Sequence, residues 1–132
     1  MTKRAGVILV VSLLAGCSGQ LDRTVSEEAI NTTLVQTAVA AEQSTDYEAA
    51  AGHFANLYEK NPEDLGLLLG LARNLRYIGT PKRALEVLEQ AKGVDRRAAP
   101  FLVELGKVQI ASGRAADAKK TLRDVAKKVT VR

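Results

Sequence analysis

Tryptophan is absent and the aromatic side chains are three Tyr and two Phe, so any core must be built mostly from Ala, Leu and Val. The single cysteine, Cys17, leaves no partner for an intrachain disulfide, and an oxidising compartment would add no covalent staple. The sole histidine, His53, has no Cys or nearby Asp to complete a metal site or a nucleophilic triad; beside Phe54 on a helix, it is expected to be exposed. There is no glycine-rich phosphate loop. The paired carboxylates Glu27-Glu28 and Glu63-Asp64 fall at expected helix starts or turns, where the helix dipole accounts for them. The chain is therefore expected not to be an enzyme and to use no metal, cofactor or small-molecule substrate. Prolines occur only at 62, 81 and 100. Alternating β-branched runs of strand length are missing, and apolar residues recur at three and four, which predicts an all-α fold.

What is present begins at the amino terminus. Lys3 and Arg4 precede an uncharged stretch, Ala5 to Ala15, rich in Val, Ile and Leu. It is shorter than the roughly 20 apolar residues of a membrane-spanning helix. The following Leu14-Ala15-Gly16-Cys17 resembles the lipobox of bacterial lipoproteins. That resemblance implies a signal peptide over 1–16, with Leu14, Ala15 and Gly16 recognised by the signal peptidase. It also implies a thioether-linked diacylglyceryl group on Cys17, with a further acyl chain on the new amino terminus. Such multiple acylation anchors a protein stably. Ser18 after the cysteine implies the outer membrane, with the chain on its periplasmic face.

Removing Lys3 and Arg4 leaves 17 basic against 15 acidic residues. The remaining charge is uneven: residues 99–132 hold eight basic and three acidic, whereas 17–98 hold nine and twelve. Residues 17–30 are polar and are expected to form a tether, helical toward its end.

An internal repeat organises residues 31–132. Ala50, Ala84 and Ala118 recur 34 apart, as do Phe54, Leu88 and Leu122, and Leu34, Leu68 and Leu102. So do Ala38, Ala72 and Gly106, and the turn residues Thr45, Gly79 and Gly113. This resembles the tetratricopeptide repeat, with units at 31–64, 65–98 and 99–132. The resemblance implies a solenoid of three helix-turn-helix units, in which the small eighth and twentieth places of each unit let its two helices approach closely. The first unit departs most, with Thr37 and Ala41 where larger residues are expected.

In that family a groove is lined by the second, fifth, ninth, twelfth and thirteenth places of each unit. Carried over, these include Val39 and Glu42, then Leu69, Arg73, Arg76 and Tyr77, then Lys107 and Ile110. The candidate peptide-binding groove is Val39, Leu69, Arg73, Arg76, Tyr77 and Lys107, expected to be a basic, partly apolar trough. No asparagine set accompanies it; Asn74 lies one place past a groove position. A second basic feature is the expected last helix, 116–129, with Lys119, Lys120, Arg123, Lys127 and Lys128. No aromatic residues interleave these charges, so nucleic acid is not an expected partner.

The segment from Asn61 to Ala91 is similar to the repeat region of the TadD lipoproteins of the tight-adherence (Flp) pilus system. This implies a scaffold that assists assembly of a pilus or secretion system in the manner of a pilotin, with a secretin or other secretion components as partners. A binding module for barrel assembly or peptidoglycan machinery is the alternative.

Overall fold

The computed structural model describes residues 18–130, with side chains from residue 27 onward. The lipobox residues Leu14, Ala15, Gly16 and Cys17 lie outside the described residues. Among the described residues there are six α-helices and no strand: α1 (Ser18–Gln43), α2 (Tyr47–Lys60), α3 (Leu65–Tyr77), α4 (Pro81–Gln90), α5 (Ala99–Ala111) and α6 (Ala115–Thr130). None is long and apolar enough to cross a membrane. Each helix packs on its neighbour in the chain, and α3 also packs on α5.

The helices keep the period of the sequence. The second helices begin at Tyr47, Pro81 and Ala115, and the first helices end at Gln43, Tyr77 and Ala111, each 34 residues after the last. The turn between them is the same structure three times. The N–H of Asp46, Thr80 and Arg114 donates to the carbonyl of Ala41, Leu75 and Gln109, and the preceding residue donates to Glu42, Arg76 and Ile110. This nested pair of bonds satisfies carbonyls that a helix end leaves open, and it requires a left-handed residue between them. Gly79 and Gly113 take that conformation at φ 77° and 76°, and Thr45 takes it at φ 63°. The first turn thus carries a β-branched residue where glycine is favoured, a penalty of about 1–2 kcal/mol.

Helix starts follow local rules. The Asp46 side chain accepts from Ala49 N at 3.1 Å, and the Asp64 side chain from Leu67 N at 3.0 Å. Pro81 opens α4, where its missing N–H is harmless. One boundary differs from expectation, and one departs from the repeat. α1 begins at Ser18, so the segment read as a tether is helical throughout its described length, and Glu27-Glu28 lie inside a helix instead of at its start. α4 stops at Gln90 and the chain runs irregularly to α5, with Gly93 at φ 76° against the side chain of Glu63.

The small residues of the repeat sit at the closest approaches. Ala38, Ala72, Ala50 and Ala84 are fully buried, and Ala118 nearly so. A Cβ on Gly106 would lie 2.6 Å from Cδ2 of Leu122. Thr37, by contrast, is exposed: its place faces outward at the start of the stack, so no large residue is needed there. Large apolar residues, Phe54, Leu68, Leu88 and Phe101, fill the space between pairs.

Gly70 is the tightest of these sites. A Cβ there would stand 2.6 Å from two ring carbons of buried Phe54, whereas one on Gly52 of α2 would meet nothing. Gly70→Ala is expected to destabilise the fold by roughly 1–3 kcal/mol through overpacking. Gly52→Ala should stabilise it by about 1 kcal/mol through helix propensity. Urea unfolding followed by circular dichroism distinguishes the two signs.

Candidate functional site

The expected groove residues lie on the first helices of the three pairs: Val39 on α1, Leu69, Arg73, Arg76 and Tyr77 on α3, and Lys107 on α5. Spacings of three and four put Leu69, Arg73 and Arg76 on one helix face. Leu69 is half-buried against the core. Val39, Tyr77 and Lys107 are exposed, and Arg73 and Arg76 are intermediate.

The arginines are already engaged. Glu42 on α1 accepts both Nε and Nη2 of Arg73, the latter at 2.8 Å, in a two-pronged bond. Arg76 Nε donates to Glu104 Oε1 of α5 at 3.0 Å, and the Glu104 side chain is only 7% exposed. Both guanidinium groups are raised above the ordinary arginine pKa. For Arg73 the leading cause is the hydrogen bond to Glu42. For Arg76 burial pulls downward, and the hydrogen bond to Glu104 together with its field more than offsets that pull. The basic trough expected from the sequence is thereby corrected: two of its three cations are neutralised from within. Lys107 enters no ion pair among the described residues.

What the face presents instead is aromatic and apolar. The Tyr77 ring lies 4.7 Å from that of Tyr47, and the Arg76 guanidinium sits 4.6 Å above it. Tyr77 is held on two sides yet is 46% exposed, with Val39 and Ile110 also exposed along the same set of helices. A rigid exposed aromatic of this kind offers contact area at small entropic loss.

Glu104 is the residue that sequence reasoning missed. Its sixth place is not a groove position, and only the displacement of α5 against α3 brings it to Arg76. A signal did exist: Glu42 and Arg73 are 31 apart and Arg76 and Glu104 are 28 apart, one repeat less one or two helical turns. Asn74 is fully buried and donates to the Gly70 carbonyl at 2.8 Å, so it does not reach the face. His53 is half-buried rather than exposed, on a cavity of about 260 Å³ with Leu34, Asn56, Leu57, Glu59 and Lys60. Among the described residues no group of three His, Cys, Asp or Glu converges as a metal site. On α6 the five cations are exposed, and Lys128 Nζ donates to the Arg97 carbonyl.

No family model matches the chain, and no curated protein matches it.

The two ion pairs differ in exposure, with side chains at 35% and 17% for Arg73 and Glu42, against 17% and 7% for Arg76 and Glu104. Arg76→Met, which strands a buried carboxylate, is expected to destabilise the fold by roughly 2–3 kcal/mol. Arg73→Met should cost no more than about 1 kcal/mol. Urea midpoints of the two variants measure the difference.

Proposed function

We propose that the chain is a tetratricopeptide-repeat lipoprotein that holds a protein-binding helix face at the periplasmic side of the outer membrane. In this reading Cys17 carries the lipid and α1 leads from it into the repeats. The face of α1, α3 and α5 takes an extended or helical segment of a partner. The observation that supports it most is the recurrence, every 34 residues, of helix starts and left-handed turns with small residues at the closest helix approaches. Stacked pairs of this kind leave their first helices on a common surface, which such solenoids use for binding.

The self-neutralised arginines alter the kind of segment the face fits. Tyr77, Val39 and Ile110 offer apolar contact, and Lys107 offers one cation. An apolar segment with an acidic group near Lys107 suits this better than a strongly acidic one. The likeness of residues 61–91 to TadD lipoproteins supports a role in assembling a pilus or secretion system, with a secretin or its associates as the partner.

A photoreactive residue at Tyr77 in intact cells is expected to capture an envelope component of that assembly, with Lys107→Glu reducing the yield. Recovery of no envelope protein rejects the binding face, and pili that persist on deletion reject the pilus role. Cys17→Ser is expected to leave circular dichroism unchanged while moving the protein out of the membrane fraction; retention in that fraction would rule out the lipid as the anchor.

A further inference from the structure

The two ends of the helix stack carry surfaces that have no counterpart inside it. Within the molecule each second helix is covered on one side by the pair that follows. Ala51, Phe54 and Leu57 of α2 are buried, as are Leu85 and Leu88 of α4 and Ala91 just after it. The same places in α6 are Lys119, which is exposed, and Leu122 and Val125, which are half-exposed. At the opposite end, Leu67, Gly70 and Asn74 of α3, and Phe101, Glu104 and Val108 of α5, are buried, with Gly70 against Phe54 and Glu104 against Arg76 of the preceding pair. Their equivalents in α1, Thr33, Gln36 and Ala40, are exposed. Five large apolar side chains are exposed among the described residues: Tyr77 and four at these ends, Ile30 and Val39 on α1, Ile110 on α5 and Val129 on α6.

The internal junctions show what each end would meet. At the first junction the twelfth place of one unit reaches the ninth of the next, as Glu42 reaches Arg73, and at the second it reaches the sixth, as Arg76 reaches Glu104. The twenty-fifth reaches the sixteenth, as Glu89 reaches Arg114 at 3.3 Å. At the free ends the twelfth place is Ile110 and the ninth is Val39, apolar on both sides. The twenty-fifth is Arg123 and the sixteenth is Asp46, an ion pair of reversed polarity. Asp46 caps α2 through Oδ1 alone, which leaves Oδ2 available. The hydroxyls of Thr33 and Thr37 already donate to the carbonyls of Ala29 and Thr33, both at 2.9 Å, so covering them strands no donor. The uneven charge, net positive over 99–132 and net negative over 17–98, draws the same two ends together.

We infer that a second copy of this chain docks head to tail. Its α1 seats on the open side of α5 and α6 as α3 seats on the first pair and α5 on the second. Val39 of one copy then meets Ile110 of the other, and Asp46 meets Arg123. Because the two surfaces differ, each added copy presents a fresh end, and growth continues beyond a dimer.

Sedimentation velocity of the full-length protein in detergent tests this. The wild type is expected to grow past a dimer with concentration, and less so at high salt. Val39→Asp and Ile110→Asp, both exposed sites that leave circular dichroism unchanged, should each raise the apparent dissociation constant about tenfold or more. An equimolar mixture of the two variants should form a dimer and nothing larger, because one intact head and one intact tail survive. A wild type that stays monomeric at all concentrations overturns the proposal. So does association that persists in both variants, as the apolar amino-terminal segment would produce, or a mixture that does not dimerise.

Discussion

The distance between the two helices of each pair is set where a small residue faces its partner helix, and the remaining contacts follow from it. Ala38, Ala72 and Gly106 do this on the first helices, and Ala50, Ala84 and Ala118 on the second. Close approach there brings the side chains four positions away, Phe54, Leu68 and Leu88, into one buried core, which Phe101 joins. With so few aromatic residues, dense packing depends on these approaches, because alanine and leucine cores gain little if the helices stand apart. The Gly70 contact with Phe54 extends the same device to the boundary between pairs.

Electrostatics works across those boundaries more than on the outer surface. Glu42–Arg73 joins α1 to α3, Arg76–Glu104 joins α3 to α5, and Glu89–Arg114 joins α4 to the turn before α6. The exposed pair adds little stability, while the buried Arg76–Glu104 pair penalises any other displacement of α5 on α3 by stranding a charge. These pairs act as register marks for an otherwise apolar stack. They also remove positive charge from the proposed binding face, so its character is decided by Tyr77, Val39, Ile110 and Lys107.

The helical state of residues 18–30, ahead of the first repeat, has a mechanical consequence for the proposed anchor. The part of α1 that precedes the first repeat, residues 18–30, is about 20 Å long. A lipid at Cys17 would therefore hold the repeats on a stiff arm in place of a loose leash. The exposed Glu27, Glu28 and Ile30 lie on that arm, beside the end of the stack where a second copy is inferred to dock.

The period, the three turns and the place of Glu63-Asp64 at a helix start could all be read from the residues alone. Each depends on local sterics or on bonds within a few residues, which a sequence carries whatever surrounds it. The identities of the expected face residues were legible for the same reason, since a fixed period assigns each place to a side of its helix. Their charge state was not. That Arg73 is spent on Glu42 and Arg76 on Glu104 depends on how far one pair slides along the next, a quantity set by packing between units. The exposure of Thr37 and the half-burial of His53 belong to the same class, because each is decided by which neighbour stands, or does not stand, on that side of the helix. The residues alone determined a repeating all-helical chain; the stacking of its pairs decided which of its charges face outward.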